Sequence, residues 1–274
     1  MPTLLDFRRR IRSVKNTQQI TRAMKFVAAA RLRRAQELAK MLRSIMGRID
    51  EPQHPLLATR LEERVLVVVL TGERGLAGAF NTNILKKANE VFRANKGKKL
   101  SVIPVGKKGR DSLKRAGFEF AAEYVNVLAK VELSTAREIA NLVTELYKKE
   151  EIDAVYMVFS EFKSVMSANL AVQKLLPVEK LEQTGGESQT DYIYEQPAEK
   201  LLDRLLPRYV ETTVLRAMLE SSAAEYAARM TAMESATKNA GEVIQGLTLH
   251  MNKVRQAAIT REIIEIVSGA SSTA

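Results

Sequence analysis

The chain has no cysteine and no tryptophan, only two histidines among 274 residues, and aromatic residues make up 5% of it. Without cysteine, disulfides and thiolate metal sites are excluded, and a reducing compartment is allowed. His54 stands in a proline-flanked loop and His250 on a predicted helix, so a histidine metal pair or a histidine base has little support. No apolar run approaches ~20 residues, so no segment is expected to span a membrane. The basic, amphipathic N-terminus lacks the short apolar core and cleavage site of a secretory signal, and it continues in helical register, so it is expected to be mature structure. Acidic residues are scarce in one place only. Residues 1–50 carry three acids against thirteen Lys/Arg, while 51–207 carry 22 against 23 and 208–274 carry seven against seven. The net charge of +11 therefore resides almost wholly in the first fifty residues.

Proline is also missing from two long stretches, Thr3–Glu51 and Arg208–Ala274. After Pro207 none occurs up to Ala274, and Leu215, Leu219, Ser222, Tyr226, Met230, Met233, Ala240, Ile244, Leu247, Met251, Val254 and Ala258 follow steps of three and four. That pattern, with an extra residue between Tyr226 and Met230, predicts a coiled-coil seam with a stutter. A second stripe runs through Leu4, Phe7, Ile11, Val14, Ile20, Met24, Ala28, Leu32 and onward to Ile49. The two stripes can bury each other as an antiparallel pair. About 60 residues of helix make a rod of roughly 90 Å, about twice the width of a compact domain of this size. With Ile49 beside Thr212, the last residues overhang their partner. Ile259, Ile263, Ile264, Ile266 and Val267 are then left exposed, which predicts an apolar socket supplied by another molecule; a fraying terminus is the alternative.

The bases of the first helix, Arg8, Arg9, Arg10, Arg12, Lys15, Arg22, Lys25, Arg31, Arg33 and Arg34 among them, lie on faces the seam does not use. An ordinary solvated face mixes both signs, so an acidic partner surface is the favoured reading. Nucleic acid is a second candidate, since phosphate neutralisation needs only Lys/Arg. Against it, only Phe7 and Phe26 interleave the basic run and no recognised nucleic-acid motif is present.

Between the ends the periodicity changes. Val65–Leu70 is an apolar run suited to a strand buried on both faces. Then come a helix over 81–95, a strand over 100–105, a helix over 108–116, a strand over 118–127, a helix over 134–149 and a strand over 154–160. Asn169–Glu179 and Tyr192–Tyr194 are candidates for two further edge strands, separated by a loop at 183–190. This alternation predicts an open α/β domain of Rossmann-like kind with mostly parallel pairing. The expected division is a first helix over 1–58, the inserted domain over 59–206 and a second long helix over 207–274. The segment Thr71–Asn81 has glycines at 72, 75 and 78, a spacing that matches neither the dinucleotide pattern nor a P-loop, so a tight strand-to-helix turn is preferred to a phosphate cradle. No catalytic, cofactor-binding or metal-ligating set emerges.

Two long motifs carry a family resemblance. Arg9-Arg-Ile-Arg-Ser-Val-Lys-Asn-Thr-Gln-Gln-Ile-Thr-Arg-Ala-Met-Lys-Phe-Val-Ala28 and its continuation to Ala35 resemble the opening helix of rotary ATP synthase gamma subunits. So do Ala228-Arg-Met-Thr-Ala-Met-Glu-Ser-Ala-Thr-Lys-Asn-Ala240 and Asn252-Lys-Val-Arg-Gln-Ala-Ala-Ile-Thr-Arg-Glu-Ile-Ile-Glu-Ile-Val-Ser-Gly-Ala270. The resemblance implies a non-catalytic central shaft at the cytoplasmic face of a bacterial membrane, peripheral and not inserted. The shaft would turn inside three alpha and three beta subunits and rest on the epsilon subunit and the membrane ring of c subunits. It would couple proton or sodium flow to ATP synthesis or hydrolysis, with no cofactor and no nucleic acid. By the same resemblance Arg255, Gln256, Thr260 and Met24 meet beta-subunit loops, and Arg8, Arg9, Arg12 and Arg33 form a basic shaft face. The apolar tip turns in a bearing, and Tyr192 and Tyr194 belong to the foot toward epsilon and the rotor ring. Gly72-Glu73 and Ala77 depart from the family's usual Ser-Asp and cysteine, and the cysteine-bearing insertion of the chloroplast form is missing.

Overall fold

The computed structural model describes residues 54–163, 168–178 and 198–271. The predicted first helix up to residue 53, the loop at 183–190 and the strand Tyr192–Tyr194 lie outside these, whereas 54–58, expected to end that helix, form a turn whose Leu56 is buried in the α/β core. The described residues up to Thr231 belong to one compact unit, and Ala232 onward belong to another.

The first unit is built on a four-stranded mixed sheet: β1 (Arg64–Leu70), β2 (Lys99–Val105), β3 (Ala154–Phe162) and β4 (Ala168–Leu176), in the order β2-β1-β3-β4. β1 pairs in parallel with β2 and β3, and β4 is antiparallel to β3. Burial explains the run of valines in β1. Its Val65, Val67 and Val69 enter one core, and its Leu66, Val68 and Leu70 enter the other, so no position faces water and none needs to be polar.

Three helices complete the crossovers. In α1 (Phe80–Ala94) the buried residues are Phe80, Ile84, Ala88 and Phe92, one per turn, and they cover the face carrying Val65, Val67 and Val69. α2 (Lys107–Arg115) buries only Gly109 and Leu113. α3 (Leu133–Lys148) buries Ala136, Ile139, Ala140, Val143 and Tyr147 against the opposite face. Crossovers through helices are what parallel strands require. A clasp joins the start of β1 to the residue before β3: Arg64 donates its backbone N–H to Asp153 Oδ2 at 2.8 Å and its guanidinium to Oδ1 at 2.6 Å. The Arg64 guanidinium holds the Asp153 carboxyl below the usual carboxylate range.

The expected strand over 118–127 is instead a segment touching β2 at two single bridges, Val102 with Phe120 and Val105 with Tyr124. The cause is Pro104. Val102 N–H donates to Glu119 and Ala121 N–H donates to Val102, but Pro104 has no N–H to continue the ladder, and pairing resumes where Tyr124 N–H donates to the Pro104 carbonyl and Gly106 N–H to that of Tyr124.

The last helix, α4 (Ala198–Ser271), starts before Pro207 and carries that proline inside it. An interior proline removes one helical hydrogen bond. Here Leu202, Leu206, Val210 and Val214 around it are all buried in the core that also holds α3, and their burial offsets that loss. Further along, Leu219 still belongs to this core whereas Ala224 belongs to the opposite one. The helix therefore passes the end of the sheet between these residues, at the turn that follows β1.

Candidate functional site

The glycine-rich turn after β1 meets the start of α2. A helix N-terminus leaves several backbone N–H groups without partners and attracts anions. Here the chain satisfies them itself. Lys107 N–H donates to Glu73 Oε2 at 3.0 Å, Lys108 N–H to the Gly72 carbonyl at 3.1 Å, and Gly109 N–H to Thr71 Oγ1 at 2.7 Å. The Glu73 carboxylate occupies the place a phosphate would take, so the tight-turn reading of this segment holds for a physical reason. Gly106 has φ +105°, and a Cβ there would lie 1.9 Å from the Thr71 carbonyl oxygen, so only glycine fits.

Glu73 reaches in a second direction as well. Its Oε1 accepts from Val127 N–H at 3.0 Å, which ties the turn to the segment 127–129. These two pieces close around α4. Ser222 Oγ donates to the Leu128 carbonyl at 2.8 Å, and Tyr226 OH donates to the Ala129 carbonyl at 3.5 Å. Ala224 and Ala228 pack in the core of Phe80 and Ile84. On a third side the Glu225 carboxyl presses on Gly72: a Cβ at Gly72 would lie 2.6 Å from Glu225 Oε1. Gly72 N–H is held by Asn81 Oδ1 at 2.8 Å, so the turn cannot swing away without losing that bond.

Two buried acids line this part of the helix. Burial pushes the Glu225 carboxyl above the ordinary carboxylate range, Arg229 pulls against that, and Glu73 adds to the rise. Burial likewise raises Glu220, partly opposed by Arg216, which bridges Glu161 at 3.0 Å and Glu220 at 2.8 Å. Glu220 Oε2 and Ser221 Oγ are buried without a hydrogen-bond partner. These ties hold the helix against the turn and do not form a reactive constellation. Among the described residues no three His, Asp or Glu side chains gather as metal ligands, and no helix is long and apolar enough to cross a membrane.

The other predicted contact residues lie toward the end of α4. Gln256, Ile259, Thr260, Ile263 and Ile264 are exposed and share one face at spacings of three and four. Thr260 Oγ1 donates to the Gln256 carbonyl at 2.9 Å, which keeps its hydroxyl on the helix surface. Arg255, Ile266 and Val267 occupy positions on the same helix. Met24, Arg8, Arg9, Arg12, Arg33, Tyr192 and Tyr194 lie outside the described residues. Sequence reasoning placed Ser222 and Tyr226 on the seam but missed Glu73, Glu225 and Gly72 as a unit. The available signal was the run Ser221-Ser-Ala-Ala-Glu-Tyr-Ala-Ala228, where small residues surround a lone acid.

A family model described as ATP synthase matches residues 3–273. The chain is 50% identical to the ATP synthase gamma chain of Solibacter usitatus and 45% identical to that of Pelotomaculum thermopropionicum, in each case over 99% of both chains. Among solved structures it resembles a chain of the Tetrahymena thermophila mitochondrial ATP synthase central stalk and c-ring, with TM-score 0.56, 26% identity, and 80% of this chain and 99% of that one covered. A chain of a Euglena gracilis mitochondrial ATP synthase shares the fold at TM-score 0.59 and 20% identity, covering 97% of this chain and 94% of that one.

Proposed function

The chain belongs to the ATP synthase gamma-chain family, and from that premise we propose how its structure couples ion flow to ATP chemistry. It is a non-catalytic subunit of an ATP synthase, a peripheral part of a membrane-bound complex, and its function is that of the central rotating stalk. The finer organisation is our reading. The helix expected before residue 54 and the part of α4 beyond the α/β core pair as an antiparallel coiled coil, and the residues between them form the inserted Rossmann-like domain, which also buries the start of α4. The coil stands inside a ring of three alpha and three beta subunits. Arg255, Gln256, Thr260 and Met24 contact beta-subunit loops, and Arg8, Arg9, Arg12 and Arg33 face acidic surfaces of that ring. Ile259, Ile263, Ile264, Ile266 and Val267 turn in an apolar bearing, while Tyr192 and Tyr194 lie at a foot against the epsilon subunit and the ring of c subunits. The complex sits at the cytoplasmic face of the bacterial membrane. The nucleic-acid reading gains nothing from the family's other members and is set aside.

One observation carries this reading: a single helix whose residues from Leu202 to Met230 include many buried in the α/β core also exposes Ile259, Ile263 and Ile264. Exposed isoleucines cost free energy in water, so a helix rooted in one body and apolar elsewhere is built to end in another. An asymmetric rod inside a threefold ring presents a different surface to each beta subunit. Each catalytic site then favours a different conformation, and turning the rod exchanges them in order, because a contact shifts an equilibrium only by its differential affinity for the two states.

Reconstitution tests the proposal. Purified alpha and beta subunits, mixed with and without this chain, are expected to give a three-alpha, three-beta, one-gamma complex by mass and sustained ATP hydrolysis only when the chain is present. Competent partners that neither bind the chain nor change turnover in its presence would contradict the shaft.

A further inference from the structure

A shaft transmits torque only if its helix and its globular part turn as one body. We propose that the turn Thr71–Asn81 and the segment 127–129 form a collar that grips α4 at Ser222–Arg229, and that Gly72 against Glu225 is the contact that prevents the helix from yielding in torsion. The proposal rests on the shaft reading and adds to it where torque passes between helix and domain.

Three features carry it. At 3.6 residues per turn, the contacts at Ser222, Ala224, Glu225, Tyr226 and Ala228 point over about 200° of the helix circumference. More than half the circumference is therefore held, which resists both rotation and sideways escape. The contacts are also short. Ser222 bonds directly to a backbone carbonyl, and the buried Ala223, Ala224 and Ala227 bring the helix backbone close to its surroundings, leaving little side chain to bend under load. Lastly, the two jaws are fixed to each other, because one buried carboxylate, Glu73, accepts from Val127 on one jaw and from the start of α2 beside the other.

Gly72 has a specific part in this arrangement. It is a glycine without positive φ, so backbone conformation does not demand it. Space does: its absent side chain leaves the room that the Glu225 carboxyl fills, and Arg229 pairs with that carboxyl from the next turn. A methyl group at 72 must displace the end of the Glu225 side chain and so disturb its pairing with Arg229 inside the collar.

The test uses the complete synthase in sealed vesicles, with membrane potential read by a potential-sensitive dye, which serves whichever ion is coupled. Gly72→Ala is expected to leave uncoupled ATP hydrolysis close to the parent while the potential sustained by ATP falls severalfold. Because the chain has no cysteine, Ala129→Cys with Tyr226→Cys introduces the only thiols in this subunit. Because Tyr226→Cys itself removes one collar contact, linked and unlinked forms are compared: joining the thiols with a short bifunctional reagent is expected to leave hydrolysis unchanged in both proteins and to raise the potential of the Gly72→Ala protein to that of the linked Gly72 protein. Mere misfolding of the variant would not be mended by that link. A Gly72→Ala complex that sustains the parental potential, or a cross-link that stops turnover, would overturn the collar. Should Gly72→Ala fail to assemble, the cross-link in the Gly72 background decides alone. A parent complex that generates no potential would instead defeat the shaft reading itself.

Discussion

Replacing Ser235 by proline is expected to lower ATP synthesis at least about tenfold while leaving the chain folded and bound to its partners. Ser235 is exposed on α4, a few residues beyond the collar, so the substitution removes no packed side chain. What it removes is the backbone N–H that bonds to the Thr231 carbonyl, and the proline ring also collides with that carbonyl. An interior proline costs roughly 3 kcal/mol or more, equivalent to a factor of about a hundred against the straight helix. The helix escapes that cost by kinking. A kink placed between the gripped part of α4 and its isoleucine face becomes a hinge, and a hinge passes bending but little torque. Synthesis driven by an imposed ion gradient is therefore expected to fall at least about tenfold, given that cost. Ser235→Ala is the control. Alanine is the better helix former by a few tenths of a kcal/mol, so this variant is expected to match the parent.

The second large effect is expected at the apolar face. Ile259, Ile263 and Ile264 are 48%, 55% and 59% exposed. Burying the remainder of each in a socket is worth about 1 kcal/mol per residue, half the value of a full isoleucine burial. Replacing all three with aspartate forfeits roughly 3 kcal/mol and adds the cost of placing charges in an apolar bearing. The affinity of the chain for the alpha–beta ring, measured by titration with labelled chain, is expected to weaken about a hundredfold or more. The fold of the α/β unit should be untouched, because these side chains belong to neither of its cores. A triple variant that binds as the parent does would show that this end frays in water and meets nothing.

The contrast between these predictions and the collar reflects what each kind of residue reveals in a sequence. β1 was legible as Val65–Leu70 because a strand buried on both faces has no polar position to interrupt the run, and α1 and α3 were legible because a half-buried helix repeats its apolar residues every turn. The isoleucine face was legible as an apolar stripe, and Ile259, Ile263 and Ile264 on it are exposed. Pro207 pointed to a helix start that the structure puts at Ala198, since the burial of Leu202 and Leu206 outweighs a local propensity. Phe118–Val127 has the composition of a strand, but whether it pairs depends on Pro104 in its neighbour, a fact about another segment. The collar is the extreme case. Glu73 acts on residues 34 and 54 positions away, and Gly72 matters only because Glu225 arrives beside it. Such contacts leave no periodicity. They show only as small or acidic residues without an obvious local purpose.

The most direct measurement is rotation of this chain in single complexes. Leu61 is 84% exposed on the globular unit, and Leu61→Cys gives the chain its only cysteine, to which a bead can be attached. With the alpha–beta head fixed to a surface and ATP supplied, the account predicts unidirectional turning of the bead in steps of threefold symmetry, with a rate that follows hydrolysis. A bead that stays fixed, or only jitters about one angle while the same complexes hydrolyse ATP, would contradict it.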